Sequence, residues 1–368
     1  GQSGVGPYFL WFLVTSIIFT TWLIISRWSD LRSEHELNSL LSRESSFLLN
    51  NVLLLAIAFT VLWGTLFPII SEAVTGEKIT VGAPFFNQVG TPIFIALLLL
   101  SGICPLIAWR KASASNFRRN FLQPLLVSVA AAVTFWWMGI RNIYIWMSFT
   151  FSAFVLYTVG MEFWKGIQAK LRHGQQSFIS ALGHMITSNQ RRYGGYVIHV
   201  GIVMIFVGIT GSVGFKSEQK VALAKGEQTT LKDYTVQLVD FTRREDPEKV
   251  SYGARLNIYQ KGRLYTSLTP EKSVHRTSQD QPLTEVALHQ TFKEDLYIIY
   301  SGTDDDGKAV LNIYINPLTA WIWAGGIVLA FGTLIALYPF KKPKRNYETT
   351  ASNMEHLQHT DHRVIAPA

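Results

Sequence analysis

The sequence predicts a polytopic α-helical membrane protein of about seven transmembrane helices, with an extracytoplasmic all-β domain inserted before the last helix. Three observations carry this. Of the 368 residues 48% are hydrophobic and 16% charged, with 11 Trp, too apolar a balance for a soluble chain of this length. The apolar residues gather into stretches long enough to cross about 30 Å of hydrocarbon, at about 7–26, 47–70, 91–109, 121–139, 143–164, 195–214 and 318–339. Between the last two, residues 215–317 change to short runs that alternate or are rich in β-branched and aromatic residues.

The first six stretches read as one bundle over 1–214, and 318–340 as the last helix. The basic residues orient them. The loops 27–46, 110–120 and 165–194 and the tail after Phe340 carry 3, 4, 5 and 5 Lys/Arg, whereas 71–90 and 140–142 carry Lys78 and Arg141 alone. By the positive-inside rule the first set is cytoplasmic and the second outside. Alternation then puts the N-terminus and 215–317 outside and the C-terminus in the cytoplasm. Pro68, Pro84 and Pro317 read as ends of spans or shapers of loops. Glu162, three residues before Lys165 near a cytoplasmic end, reads as its ion-pair partner.

In the outer segment the strand runs are Tyr234–Val239, Ala254–Tyr259, Leu283–Leu288, Leu296–Tyr300 and Val310–Ile315. Gln260-Lys261-Gly262-Arg263 and Asp304-Asp305-Asp306-Gly307 read as hairpin turns. Some seven or eight short strands in about a hundred residues predict a compact β-barrel or sandwich. The 341–368 tail is polar and reads as disordered, and its His356, His359 and His362, lacking carboxylate support, as solvated.

Several function classes drop out. Residues 215–317 hold 14 basic and 15 acidic residues, so the net charge of +8 belongs to the membrane and cytoplasmic parts, as topology requires, and argues for no nucleic acid. The one cysteine, Cys104, lies in an apolar span, so neither a disulfide within the chain nor a thiol-exchange pair is available. The chain opens on Gly1 with its first span almost at once and no signal before it, which reads as the C-terminal part of a longer protein or one product of a split gene.

The candidate site is in the sixth span. Tyr193-Gly194-Gly195-Tyr196-Val197-Ile198-His199-Val200-Gly201 opens an apolar run that lasts to Val213. With Arg191 and Arg192 at the headgroup level, six residues of helix from Tyr193 carry His199 about 9 Å inward, too deep for easy snorkelling. An ionisable group there is costly unless paired or ligating. At about 100° per residue Gly195, Val203 and Phe206 share the His199 face, and Gly194, Gly201 and Gly208 fall nearly opposite. The glycine stripe predicts a close helix contact. On the other face Gly195 leaves room for a flat macrocycle, with Val203 and Phe206 as apolar packing. The residues alone leave two readings of His199 open, a haem ligand and a hydrogen bond to a neighbouring helix. His35, His173, His184, His275 and His289 lie outside the spans and read as polar surface residues.

The string RRYGGYVIHVGIVMIFVGITGS over 191–212 resembles the C-terminal half of the CcmF family of cytochrome c-type biogenesis proteins. Four further pieces extend the likeness in order: Leu62–Pro68 with Gly82–Asn87, Leu283–Ala287, Asp295–Tyr297, and Asn316–Leu318 leading into Trp321–Gly326. The resemblance implies a bacterial inner-membrane component of cytochrome c maturation, part of a cytochrome c haem lyase. Such a protein takes haem from a haem chaperone and attaches it to the Cys-x-x-Cys-His of apocytochrome c. It also implies a transmembrane b haem on two helix histidines, the second matched by His199 as axial ligand to the iron, and a periplasmic β-domain. The family's tryptophan-rich segment, its two outer histidines and its first haem ligand have no counterpart here. Trp136-Trp137 and Trp321/Trp323 lie at span ends and read as interfacial anchors instead. Implied partners are therefore the N-terminal half, the other membrane subunits of the maturation system, and quinol as reductant. No residue reads as an acid, base or nucleophile for thioether formation. The alternatives are a quinol-oxidising haem-b electron-transfer subunit and a structural membrane scaffold.

Overall fold

The structure, a computed structural model, describes residues 6–31, 43–107, 114–172, 177–275 and 282–338. His35, His173 and the three tail histidines lie outside the described residues. The chain begins with α1 (Gly6–Ser26) and the single turn α2 (Trp28–Leu31). Then come α3 (Arg43–Thr75), α4 (Ala83–Ile103, continued by a 3-10 turn to Leu106), α5 (Ala114–Trp137) and α6 (Ile143–Arg172). The short α7 (Phe178–Ser188) precedes α8 (Gln190–Gly214), and α9 (Thr319–Leu337) closes the described chain. Among the described residues six helices are long and apolar enough to cross a membrane, in α3, α4, α5, α6, α8 and α9. The seventh expected span is the 21-residue α1, whose described apolar part is the shorter Trp11–Ser26.

Two prolines act differently from expectation. Pro68 stands inside α3 and does not end it. A proline removes one helix hydrogen bond, whereas stopping a helix in hydrocarbon would strand several backbone groups, so continuation costs less. Pro84 occupies the first turn of α4, where its missing N–H has no intrahelical partner in any case. The stretch Gly82–Asn87, read as an outer loop, is thus mostly helix N-terminus. Likewise 165–194 is largely helical, because α6 runs on to Arg172 and α7 fills much of the remainder.

The predicted glycine contact exists, and its partner is α9. A Cβ at Gly201 would lie 2.7 Å from the Gly325 oxygen and the Leu329 nitrogen, and one at Gly194 2.8 Å from the Gly332 oxygen. Gly208 would meet Ile322 and Leu318 in the same way. Without a hydrophobic drive between helices in lipid, such close backbone approach is what holds a pair together.

The all-β domain is a two-layered sandwich. One sheet runs in the order β1 (Ser217–Leu223), β10 (Ala309–Pro317), β9 (Glu294–Thr303), β8 (Ala287–Gln290). The other runs β2 (Gln228–Leu231), β3 (Tyr234–Glu245), β4 (Lys249–Gln260), β6 (Glu271–His275), β7 (Pro282–Glu285), with β5 (Arg263–Leu268) also on β4. All pairings are antiparallel. Alternate residues, Tyr234, Val236 and Leu238 of β3 and Ala309, Leu311, Ile313 and Ile315 of β10, enter the core. Both predicted turns are present, with Lys261 and Gly262 at φ 50° and 75° and Asp304 NH bonded to Lys308 O. The run Leu283–Leu288 is divided between β7 and β8, one in each sheet.

The sandwich joins the membrane part without a linker. The antiparallel pair α8/α9 continues into the antiparallel pair β1/β10, in register Ser217↔Ile315. Leu318, in left-handed conformation at φ 61°, makes the corner: its NH donates to Lys293 O, and its side chain fills the space over Gly211.

Candidate functional site

His199 sits mid-helix on α8, half-buried, and its Nδ1 is buried with no hydrogen-bond partner among the described residues. In hydrocarbon that is an expensive state for a neutral imidazole. One turn back, Gly195 has nothing within 4 Å of where a Cβ would be. Val203, at 1% exposure, packs into the bundle core, and the Phe206 ring lies edge-on to Phe94 of α4 at 6.5 Å. The four predicted residues therefore divide. Gly195 borders open space and His199 stands half-buried one turn on, while Val203 and Phe206 belong to helix packing.

Towards the N-terminus of α8 lies a polar knot. The buried Glu162 carboxylate of α6 accepts from Lys165 at 3.1 Å, as its spacing predicts, and also from Arg192 at 2.5 Å and Tyr196 at 3.4 Å across the helix interface. Arg192 Nε donates to Tyr196 Oη at 2.9 Å. The rings of Phe163, Tyr193 and Tyr196 cluster beside it, and Gly166 is where Tyr193 Oη passes too closely for any Cβ. At the other end Ser148 Oγ and Thr210 Oγ1 share a hydrogen bond of 2.6 Å. Sequence spacing shows contacts within one helix such as Glu162/Lys165; the link to Arg192 and Tyr196 needed the α6/α8 alignment.

These residues could hold a haem only as a half-site. One imidazole in a membrane-length helix, open space at Gly195 and apolar surroundings are what a single haem-ligating histidine would need. Among the described residues no second histidine lies in a membrane-length helix; His184 is exposed on α7. No group of three or more His, Cys, Asp or Glu able to hold a metal ion occurs among them either.

In the sandwich, polar groups are structural. Lys249 Nζ and Ser273 Oγ donate to Glu285 Oε1, and the Lys249 bond, seconded by Ser273, holds that carboxyl below its usual range. Burial, with Glu294 accepting its proton at 3.2 Å, pushes the Tyr234 phenol well above its ordinary value. Burial raises Asp295. His289 departs from the surface role expected of it: its ring stands edge-on to Tyr265 at 4.8 Å, and its buried Nε2 has no partner among the described residues.

Residues 214–317 match the family described as the CcmF C-terminal beta-sandwich. Over 317 residues the chain is 29% identical to the cytochrome c-type biogenesis protein Ccl1 of Rhodobacter capsulatus, covering 86% of this chain and 46% of that protein. With CcmF of Escherichia coli K12 it shares 26% over 340 residues, covering 92% and 50%. It also matches a solved structure named Cytochrome c Heme Lyase CcmF, with TM-score 0.72 and 24% identity over 92% of this chain and 51% of that one, a likeness of fold. The chain thus spans about half the length of the curated relatives it matches.

Proposed function

From the relationship of this chain to the C-terminal half of CcmF, we propose that it is a membrane component of cytochrome c maturation, acting in haem transfer from a haem chaperone and attachment to apocytochrome c. His199 would hold a b haem within the membrane as one of its two protein ligands. The second ligand and the surface that presents the substrate haem come from other polypeptide, the N-terminal half or other membrane subunits of the system. When bound, such a haem supplies one-electron chemistry, suited to reducing incoming haem iron. This chain's own residues hold the ligand in place: the glycine pairing with α9 and the Glu162 knot on α6 clamp α8 from two sides and leave the Gly195 face clear.

The observation that carries the reading is the placement of His199, an ionisable side chain in a membrane-length helix one turn from a glycine with open space over it. The positive-inside count supports the N-terminal ends of α6 and α9 and the whole sandwich on the periplasmic side of a bacterial inner membrane. There the sandwich, which contains no Trp, serves as a protein-facing module that orients apocytochrome or carrier. In the membrane-purified, haem-loaded protein, His199→Ala should abolish the b-type absorbance with the amount of inserted protein unchanged. A full haem complement in that variant overturns the assignment and returns His199 to helix packing.

A further inference from the structure

Three buried hydroxyls of α6 break a habit that other threonines of the membrane helices keep. Thr60, Thr134 and Thr333 each donate to the carbonyl four residues back, at 2.8, 2.9 and 2.9 Å. Thr150, Ser152 and Thr158 do not, and their buried oxygens bond nothing among the described residues. A buried polar group without a partner carries its full desolvation penalty. A hydroxyl that forgoes a carbonyl within reach therefore needs a partner elsewhere.

The helix register selects one of the three. Ser148 with Thr210, and Glu162 with Tyr196, fix the same antiparallel alignment of α6 and α8. In it Val159 stands level with His199 and Thr158 with Val200. Thr150 and Ser152 fall level with Gly208 and Phe206, about 10 Å or more along the axis from the histidine, whereas Thr158 is about 1.5 Å off level. Rotation agrees. On α6, Thr158 lies between Phe154 and Val155 on the wheel, and both of these meet Gly102 of α4. On α8, Phe206 reaches Phe94 of α4 from a position within about 20° of His199. Both side chains thus face the seam of α4, α6 and α8, whose buried residues Leu98, Val155, Val159 and Val203 are apolar. Into that seam the structure puts two polar atoms without partners among the described residues, the Oγ1 of Thr158, a residue with 0% exposure, and Nδ1 of His199.

We infer that Thr158 is the positioning residue of His199: its hydroxyl oxygen accepts the Nδ1–H and fixes the tautomer in which Nε2 is left to bind iron. The inference rests on the ligation by His199 proposed above. Metal-ligating histidines donate their other ring N–H to an oxygen, which fixes ring orientation and makes the ligand more basic. The pair is unbonded in this structure. Threonine has two usable χ1 rotamers in a helix, so the hydroxyl can be redirected with the backbone in place. A more basic imidazole favours ferric over ferrous iron, and losing the bond raises the potential.

The test is the midpoint potential of the b haem in the membrane-purified, haem-loaded protein. Thr158→Val keeps shape and removes the hydroxyl; it should retain the low-spin spectrum and shift the potential upward, by as much as about 59 mV for a tenfold change in the one-electron equilibrium. Thr158→Ser should restore the original value, and Thr158→Ala should repeat the shift should the valine variant fail to accumulate. An unchanged potential in Thr158→Val and Thr158→Ala, alongside loss of haem in His199→Ala, overturns the inference and leaves the parent reading standing. Retention of the low-spin haem in His199→Ala overturns both.

Discussion

Glu162 illustrates how a carboxylate persists in a membrane helix. It is 8% exposed, yet both oxygens are engaged, one by Lys165 and the other by Arg192 and Tyr196. The two cations are about half exposed, so they can be hydrated at the headgroup level if the carboxylate is removed. Glu162→Ala should therefore cost about 1–3 kcal/mol, the loss of charge-assisted hydrogen bonds, rather than the larger penalty of a stranded buried ion. Thermal unfolding in detergent checks this. In the sandwich, Glu285 and Asp295 respond to pH with opposite signs. Glu285 is depressed by its hydrogen bond from Lys249, so its contribution is present above the unfolded carboxyl value, about 4.3, and is lost as pH falls through the lower folded value. Asp295 is raised by burial, so its contribution is full below about 3.9 and lost as pH rises through the folded value. Hydrogen exchange of the β6 and β7 amides should accordingly speed up in Glu285→Gln at pH 7 and match the unsubstituted protein at strongly acid pH. Asp295→Asn should slow exchange in β9 at pH 7 and not at acid pH.

Two glycines of one helix show how an element's faces differ in tolerance. At Gly201 a Cβ meets backbone atoms of Gly325 and Leu329, which cannot rotate away, so Gly201→Val forces α8 from α9 and should destabilise by about 1–3 kcal/mol or more. At Gly195 a Cβ meets nothing within 4 Å, and Gly195→Ala should gain up to about 1 kcal/mol of helix propensity. Melting temperatures of the two variants should move in opposite directions. The six-residue spacing between them hides this from composition. What separates them is that Gly194 and Gly201, seven apart, face Gly332 and Gly325, themselves seven apart.

Across the whole molecule, α8/α9 and β1/β10 form one continuous antiparallel column, so the sandwich is held at a set bearing to the membrane helices. The proposed orientation puts its far hairpin, 304–307, in the periplasm and the end of α6 in the cytoplasm. With Cys104 replaced by Ser, a cysteine substituted at Asp305 should react with a membrane-impermeant thiol reagent applied outside the inner membrane, and one substituted at Arg172 should not. Labelling at Arg172 alone would invert the arrangement.

Span positions, the alternation of basic loops, the strand runs and the histidine in hydrocarbon were all legible in the sequence, because each depends on the solvent a local segment meets. Lipid demands long apolar helices, and a half-buried strand demands alternation. The family pieces at 191–212 and 283–326 were legible for the same reason, being contiguous strings. What only the tertiary structure decided is what depends on two segments at once. It continued α3 through Pro68 and began α4 at Pro84, since unsatisfied backbone in lipid outweighs local proline preference. It gave the glycine stripe its partner, joined Glu162 to Arg192 and Tyr196, turned His289 onto Tyr265, and put Thr158 within one residue of the level of His199. Helix residues 30 or more positions apart meet only through an antiparallel register, and that register is set by packing between helices, which no window of sequence contains.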